Sequence, residues 1–383
     1  MKKFDVIIAG GGLAGLATAA QLVEKNKNLN VLVYEANQIG DGASGVPSGM
    51  VNPATGQRAR MVWNAEACFR MLEKRLEQLS AISETNIRLQ KGVLRPAIDE
   101  NLAENFRLSL KHRRWPKGWI EWLQPDEVKK RIPHLKECSG GLFMSKGKTV
   151  RTPEYLQAYV SYLKGSGVTF VFGGPYSIEN EGEWTLKNRK DAYSAPRLVI
   201  ATGFKAKENK YWSEIPLNSV KGQLALYRCP EFIANLPAVS AYGYIAPIDD
   251  HTLAVGSTYE HHFHDENPDA QGAGLLDQKL KELLPELYPH CQRIGQWSGI
   301  RATTPDRLPI VGEHYAQKGL YIYAGLGSKG LLYSELVASH LATHITEKKD
   351  LPLEISLYRF SRMEELRDME REENGTKSSQ SRR

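Results

Sequence analysis

The stretch from Phe4 to Ala36 constrains the fold of this chain more than any other part of the sequence. Two short apolar runs, Val6–Ala9 and Val31–Val33, flank a glycine cluster and a segment that repeats apolar residues along one helical face. Short apolar runs predict strands covered on both faces, and the striped segment predicts a helix. The stretch therefore predicts a strand, glycine turn, helix and second strand, which together begin a parallel α/β sheet.

The glycine cluster has the spacing G-x-G-x-x-G between the predicted strand and helix. In that pattern Gly10 permits a tight turn, Gly12 lets the backbone approach a pyrophosphate, and Gly15 lets the helix pack closely on the strand. Glu35 lies twenty positions after Gly15, where a carboxylate accepts hydrogen bonds from ribose hydroxyls. A glycine-rich turn without a ligand is the alternative. The combined pattern predicts an ADP-containing dinucleotide held by Gly10, Gly12, Leu13, Ala14, Gly15, Glu35 and Ala36.

The loop after Glu35, from Ile39 to Ala59, is long and rich in glycine, serine, alanine and proline. Long loops inside compact domains are usually functional, and small side chains let the backbone lie along an extended ligand. The loop favours FAD over NAD as the dinucleotide, although an ordinary surface loop is the alternative. The candidate contacts here are Ala43, Ser44, Ser48, Gly49 and Met50.

Two later segments return to the predicted nucleotide domain. Arg197–Gly203 reads as a third parallel strand whose carboxyl end, with Thr202 and Gly203, lies at the dinucleotide crevice, unless it is a buried strand without a ligand. Leu320–Ala324 reads as a strand that stops at a second glycine cluster before another helix. The start of that helix offers free backbone amides to an anion or a carbonyl oxygen. Its candidate cofactor contacts are Gly327, Ser328, Lys329, Gly330 and Leu331.

Length and composition place the chain among ordinary globular proteins with two or three domains. It has 383 residues, of which 41% are hydrophobic, and it opens without a signal-peptide core. No apolar run approaches the roughly twenty residues that span a bilayer, so we expect a cytoplasmic protein without a membrane span. The four cysteines are widely scattered, which argues against a disulfide framework and a cysteine-rich metal site. We expect a solvated loop around His261, His262 and His264 and no metal site.

The formal net charge is +6, and its excess is uneven. One basic cluster runs from Lys111 to Trp115 and contains His112, Arg113 and Arg114; a second one, with Arg382 and Arg383, ends the chain. Such clusters indicate either an acidic or nucleic-acid partner or simply a solvated surface. Each cluster by itself favours the solvated surface.

Changes in pattern along the chain predict a domain inserted into another. We assign residues 1–85, 146–220 and 296–370 to an FAD-binding domain, residues 86–145 and 221–295 to a substrate domain, and residues 371–383 to a disordered basic tail. The segments LALYR, YGYIAPI and TLAVGSTYE alternate in polarity and predict antiparallel strands of the second domain.

Seven motifs occur in the order found in one family. They are GxGxxG with Glu35, ASGVPSGM, IATG, KGQ, YIAP with LAVGST, GIRATTPDRLPIVG and GLGSKGLL. Together they resemble the D-amino-acid-oxidase superfamily of FAD enzymes, particularly the glycine oxidases and the FAD oxidase domain of the bifunctional tRNA methylaminomethyl-thiouridine biosynthesis proteins. The resemblance implies an α/β fold, with a Rossmann-like FAD-binding domain of the glutathione-reductase type and an inserted, mainly antiparallel α+β substrate domain. It also implies non-covalent FAD.

The resemblance further implies that an arginine and a tyrosine hold the substrate carboxylate. The matching residues are Arg301, which also lies among the expected cofactor contacts, and Tyr244. A guanidinium suits bidentate binding of a carboxylate, while a structural ion pair, for instance with Asp306, is the alternative for Arg301. A buried tyrosine with a satisfied hydroxyl is the alternative for Tyr244. Lys329 is expected to add positive charge near flavin N5 or to assist the oxygen reaction, or else to face solvent.

The function expected from these features is FAD-dependent oxidation of the C–N bond of a small carboxylate-bearing amine, either an amino acid or an N-substituted glycine, with molecular oxygen as acceptor. The first alternative is a tRNA-modifying oxidase that removes the carboxymethyl group from carboxymethylaminomethyluridine, with tRNA as its partner. The second is a non-enzymatic flavin-binding protein. Such a protein has no need of a carboxylate-binding arginine, so Arg301 speaks against it.

Overall fold

A computed structural model describes residues 1–230, 233, 235–360 and 365, the side chains of Gln90 and Lys91 excepted. The chain divides into two compact units that alternate along the sequence. The first comprises Met1–Ser44, Tyr159–Ser219 and Arg301–Arg383; the second comprises Gly45–Ala158 and Val220–Ile300. The predicted domain bounds stay a prediction, and the predicted tail at 371–383 lies outside the described residues.

The helices within the described residues are seven. They are α1 (Leu13–Lys25), α2 (Ala65–Ser80), α3 (Glu100–His112), α4 (Pro125–Arg131), α5 (Thr152–Gly165), α6 (Ala270–Leu283) and α7 (Gly330–Glu347).

The strands of the same residues are, in chain order, β1 (Lys2–Lys3), β2 (Val6–Ala9), β3 (Val31–Glu35), β4 (Gly49–Val51), β5 (Ala54–Thr55), β6 (Arg60–Met61), β7 (Arg88–Pro96), β8 (Ile120–Leu123), β9 (Gly141–Val150), β10 (Thr169–Phe172), β11 (Ser177–Asn180), β12 (Trp184–Lys187), β13 (Ala192–Ala195), β14 (Leu198–Ile200), β15 (Asn218–Arg228), β16 (Ala238–Val239), β17 (Tyr244–Pro247), β18 (Thr252–Gly256), β19 (Gln292–Thr303), β20 (Ile310–Glu313) and β21 (Leu320–Ala324).

The first unit is built on a six-stranded sheet in the order β10-β3-β2-β14-β21-β20. Its first five strands are parallel, and β20 pairs antiparallel with β21. Strand β2 comes first along the chain among the strands of this sheet. It has β3 on one side and β14 on the other, so the strand order reverses between β2 and β14. In doubly wound sheets ligands bind at such a point, outside the carboxyl ends of the strands.

The predicted parallel strands are confirmed. The residues of β2 and β14 are buried completely or nearly so, which explains why both segments read as continuous apolar runs. Helix α1 differs from the expected stripe because Leu13 through Val23 are all buried. The polar Gln21 is accommodated there because its side-chain amide donates to Glu335 at 3.1 Å. A separate four-stranded sheet, β1-β13-β12-β11, completes this unit's sheets.

The second unit contains a large, mainly antiparallel sheet in the order β19-β15-β18-β17-β16-β7-β9-β4, with β8 also paired to β9. One pair within it, β16 with β7, is parallel. Two apolar cores lie in this unit. One packs against α4 and α6, and the other contains residues of α3. This architecture confirms the predicted fold class.

Two details of the second unit correct the sequence reading. The sequence IRLQKGVLRPA, residues 87–97, resembles a pair of strands, but the structure has one strand there, β7, whose register with β9 shifts near Gln90 and Val93. The scattered cysteines predicted no disulfide framework, yet Cys229 and Cys291 form a disulfide with a Cα–Cα distance of 4.4 Å. They are 62 residues apart, and sequence spacing does not reveal that the end of β15 meets the start of β19.

Candidate functional site

Close backbone packing requires two glycines of the first turn. Gly10 has a φ of +115°, and a Cβ on it would overlap the carbonyl oxygen of Ala201, which follows β14. A Cβ on Gly15 would overlap the carbonyl oxygen of Gly10. Glycine at these two positions therefore lets the ends of β2 and β14 and the first turn of α1 approach one another.

Gly12 differs from its neighbours in what surrounds it. A Cβ there would meet the Ser44 side chain, with Oγ at 3.0 Å and Cβ at 3.7 Å. The nearest atoms belong to one side chain and none to the backbone, so backbone packing does not demand a glycine at this position. The approach of a ligand to the backbone is a separate reason for a glycine here, and it agrees with the role assigned to Gly12 from the sequence.

The start of α1 leaves positive charge available. Gly12 is the N-cap and has no side chain to accept from the helix amides, and no acidic residue lies in the first turn of this described helix. The amide of Leu13 donates to Ser44 Oγ at 3.1 Å; Ser44 lies in a short 3-10 turn, Ala43–Gly45. Free amides and the aligned helix dipole make such an end a binding site for phosphate.

Glu35 ends β3 beside this turn. One carboxylate oxygen accepts from the amide of Gly11 at 2.7 Å, and the other accepts from the amide of Asn37 at 3.0 Å. The neighbouring carbonyl of Ala36 accepts from the amide of Gly174 at 3.0 Å. The carboxylate is therefore fixed against the glycine turn. The sequence did not predict the hydrogen bond from the amide of Gly11 to Glu35, because Gly11 is a variable position of the GxGxxG motif.

The second glycine turn lies between β21 and α7 in the same unit. Gly325 and Gly327 have φ values of +75° and +53°, and the amide of Gly327 donates to the carbonyl of Ala302 at 2.9 Å. A Cβ on Gly330 would lie 2.9 Å from Cδ1 of Leu13. The starts of α7 and α1 are therefore neighbours.

Helices α1 and α7 also meet further along their length. Glu335, buried in α7, accepts from Gln21 at 3.1 Å and from the hydroxyl of Tyr159. Lys25 at the end of α1 donates to Glu347 at the end of α7, at 2.8 Å. The two helices thus run side by side in the same direction, so their positive ends lie together.

Lys329 is the N-cap residue of α7 and makes no side-chain cap. Its ammonium lies 5.6 Å from the centroid of the Tyr333 ring. Burial lowers the pKa of Lys329, and the nearby charge of Arg307 lowers it further. Ser328 before it is exposed, whereas Leu331 after it is buried.

Arg301 lies in β19, one residue before Ala302, whose carbonyl holds the second glycine turn. The proposed structural partner of Arg301, Asp306, is held by another residue. Arg359 binds the Asp306 carboxylate with two nitrogens, at 2.7 and 3.0 Å. Arg301 as a whole residue is half-buried.

The remaining predicted contacts divide between the units. In the first unit, Thr202 and Gly203 follow β14, and Gly203 has a φ of +60°. In the second unit, Gly49 and Met50 lie in β4, and the hydroxyl of Tyr244 donates to the carbonyl of Ser48 at 2.6 Å. The buried Ser48 Oγ has no hydrogen-bond partner among the described residues.

The residues of the first unit fit an FAD cofactor. The uncapped start of α1 suits the pyrophosphate, the fixed carboxylate of Glu35 suits ribose hydroxyls, and the start of α7 suits a carbonyl oxygen or developing negative charge. Such a sheet, with two glycine turns at the carboxyl ends of its strands, defines a dinucleotide-binding protein. The family model described as FAD dependent oxidoreductase (DAO) matches residues 5–344. The chain belongs to this family, and FAD is its cofactor.

Individual relatives have three kinds of name: glycine oxidase, MnmC and the bifunctional protein ThiO/ThiG. The chain is 24% identical to glycine oxidase of Geobacillus kaustophilus, covering 94% of this chain and 97% of that protein. It is 27% identical to the tRNA 5-methylaminomethyl-2-thiouridine biosynthesis bifunctional protein MnmC of Thiobacillus denitrificans, covering 92% of this chain and 58% of that protein. Seven of the eight most similar relatives are bifunctional proteins of which this chain spans 55–60%.

Solved structures show the same fold. Glycine oxidase from Geobacillus kaustophilus superposes with a TM-score of 0.80 at 24% identity, covering 94% of this chain and all of that one. L-proline dehydrogenase from P. horikoshii gives a TM-score of 0.77 at 20% identity, covering 94% and 98%. Among the described residues, no helix combines the length and apolar character needed to cross a membrane.

Proposed function

We propose that this FAD-dependent oxidoreductase oxidises the C–N bond of a small amine that carries a carboxylate, with molecular oxygen as acceptor. The observation that carries the proposal is the place of Arg301. It immediately precedes Ala302, whose carbonyl accepts from Gly327 in the second glycine turn, at 2.9 Å. The backbone of Arg301 thus adjoins that turn, and a guanidinium is suited to bind a carboxylate with two hydrogen bonds.

The chain's own residues orient the substrate and stabilise charge. Arg301 holds the carboxylate, which fixes the adjacent carbon and amine in one direction. Bound FAD supplies the acceptor for the hydride that leaves this carbon, and water hydrolyses the resulting imine. The backbone amides of Ser328, Gly330 and Leu331 at the start of α7 provide fixed dipoles for developing negative charge, whereas the amide of Lys329 donates to the carbonyl of Leu326 at 3.0 Å. The proposed role of Tyr244 as second carboxylate ligand requires its hydroxyl to leave the carbonyl of Ser48, to which it donates at 2.6 Å. Lys329 is the proposed cation at the oxygen reaction.

A second candidate substrate has the same reactive unit. The carboxymethylaminomethyl group of a tRNA uridine is a glycine attached through its nitrogen, so the same arginine would recognise it. The name of one relative supports a free amino acid and the name of another supports tRNA. We place the small amine first because it consists of little more than the glycine unit that Arg301 is proposed to bind.

Replacement of Arg301 tests the proposed clamp. Arg301→Lys keeps the positive charge but loses the planar fork, so kcat/KM for the best carboxylate amine should fall about ten- to hundredfold, chiefly through KM. FAD content should stay the same. Steady-state oxygen consumption with glycine, sarcosine and tRNA carrying the carboxymethylaminomethyl group gives the measurement.

Arg359→Lys is the matched control. Arg359 donates two charged hydrogen bonds to the Asp306 carboxylate, and these stabilise the fold. Its replacement should therefore lower the melting temperature and leave KM within about twofold. Unchanged kinetics in Arg301→Lys, or equal KM effects in both variants, would return Arg301 to a structural role.

A further inference from the structure

A short hairpin in the second unit presents two arginines. Strands β5 and β6 pair as Ala54 with Met61 and Thr55 with Arg60. The connecting turn has positive φ at Gly56 (+69°) and Ala59 (+41°), and the amide of Ala59 donates to the carbonyl of Gly56 at 3.1 Å. Arg58 in the turn and Arg60 on the strand are both exposed.

A buried arginine on a neighbouring strand holds this hairpin through hydrogen bonds to its backbone. Arg95 on β7 is only 8% exposed, and it donates to the carbonyls of Ala54 at 3.1 Å and Gly56 at 2.8 Å. Its guanidinium also lies 4.8 Å from the centroid of the Phe106 ring. Burial lowers the pKa of Arg95 to about 10, so it is charged at neutral pH. The position of the hairpin is therefore fixed by the hydrogen bonds of Arg95 to its backbone.

A second buried contact joins the hairpin to α3. The hydroxyl of Ser109 donates to the carbonyl of Ala59 at 2.8 Å. One helical turn further on, the amide of Arg113 donates to the carbonyl of Ser109 at 3.1 Å. The residues flanking Ala59 and those ending α3 thus lie side by side. We call this exposed group the basic surface: Arg58, Arg60, Lys111, Arg113, Arg114 and Lys117.

The basic surface lacks compensating charge. Segments 54–62 and 108–120 contain no aspartate or glutamate, and none of the six cations forms an ion pair among the described residues. The acid nearest in sequence on α3, Glu104, faces Arg107 at 4.0 Å. Ordinary surfaces mix both signs of charge, so a held cluster of one sign indicates an anionic partner.

We infer that the basic surface binds the phosphate backbone of a nucleic acid. Four of its six cations are arginines, whose planar forks match phosphate oxygens better than lysine does. Trp115 lies within the same run and is half-buried against the apolar core that contains residues of α3, so it anchors the run to the second unit. Because the hairpin and α3 are held by buried contacts, little ordering is required on binding. The inference goes beyond the proposed function, since such binding requires no turnover.

The test measures binding of a fluorescein-labelled RNA hairpin to the FAD-loaded protein between 50 and 200 mM salt, by anisotropy. The test variant neutralises four arginines of the basic surface: Arg58→Gln, Arg60→Gln, Arg113→Gln and Arg114→Gln. The matched control removes four exposed cations that lie elsewhere: Lys2→Gln, Lys27→Gln, Arg189→Gln and Lys190→Gln. Flavin absorbance and melting temperature verify that each variant is folded.

We expect the slope of log K against log salt to become shallower by about 3 in the test variant, because each lost phosphate contact removes nearly one unit. The control should stay near wild type. Equal binding by the test variant and wild type would overturn the inference. So would poly-glutamate binding as tight as RNA, which would indicate an acidic protein partner. RNA binding without amine turnover would contradict only the proposed function, and turnover without RNA binding would contradict only this inference.

Discussion

Three glycines of the first turn illustrate how much a single residue position determines. A Cβ at Gly10 or Gly15 would overlap backbone oxygen, whereas one at Gly12 would meet only the movable hydroxyl and Cβ of Ser44 among the described atoms around it. The GxGxxG spacing predicted a special role for all three. It also assigned Gly10 and Gly15 to the turn and to close packing, and Gly12 to the approach of a ligand. It did not reveal that a Cβ at Gly10 would overlap the carbonyl of Ala201, because that contact joins segments far apart in sequence.

This difference leads to a prediction on stability and cofactor content. Gly15→Ala should lower the melting temperature strongly, because the new Cβ overlaps the Gly10 carbonyl and the backbone must shift. Gly12→Ala should keep the apoprotein's melting temperature but weaken FAD binding. Thermal unfolding with and without added FAD, together with flavin absorbance after dialysis, separates the two effects.

Gly42→Ala is the control, since a Cβ there meets nothing within 4 Å. It should match wild type in both measurements. Full FAD occupancy in Gly12→Ala, and also in the larger Gly12→Val, would contradict the placement of the pyrophosphate.

At the scale of elements, polar contacts between distant segments bring together helices and motifs that the sequence predicts one by one. The sequence indicated α1 and α7 as helices after glycine turns, but not that Glu335, Gln21 and Tyr159 join them in the interior. Likewise, the KGQ motif at 221–223 gave no local structural signal. In the structure Lys221 and Gln223 donate to Asp269 at 2.9 and 2.8 Å, and Asp269 caps α6 through the amide of Gly272 at 2.7 Å.

The cap of α6 predicts a pH dependence. The hydrogen bond from Gly272, followed by that from Lys221, lowers the pKa of Asp269 to about 2 from its ordinary 3.8. A depressed carboxyl pKa stabilises the fold above the unfolded value and loses that effect as the pH falls through the folded one. Asp269→Asn should therefore be less stable than wild type above about pH 4, with a difference that shrinks toward pH 2.

Urea unfolding at pH values from 7 to 2 measures this difference. Asp265→Asn serves as control, because the Asp265 side chain accepts from the amide of Asn267 in the same exposed loop. Its difference from wild type should be small throughout. A difference for Asp269→Asn that stays constant down to pH 2 would show that the charge of this carboxylate does not stabilise the cap.

For the whole molecule, the sequence was most informative where glycine motifs adjoin apolar runs or helical stripes. The parallel strands, both glycine turns and the fold class were predictable because each leaves a local pattern. The disulfide between Cys229 and Cys291 and the meeting of the hairpin with α3 were not, since both depend on contacts between segments many residues apart. The roles of Arg301 and Tyr244 came from family resemblance, and they remain proposals.

The central claim is that this flavoprotein oxidises an amine recognised by its carboxylate. The most direct measurement is anaerobic mixing of the FAD-loaded protein with glycine, sarcosine and tRNA carrying the carboxymethylaminomethyl group, while the flavin absorbance is followed. Methylamine and dimethylamine, which lack the carboxylate, are the matched comparisons. The account predicts rapid loss of flavin absorbance with at least one carboxylate-bearing amine and none with its carboxylate-free counterpart. Equal reduction by both members of a pair, or no reduction by any of these compounds, would contradict it.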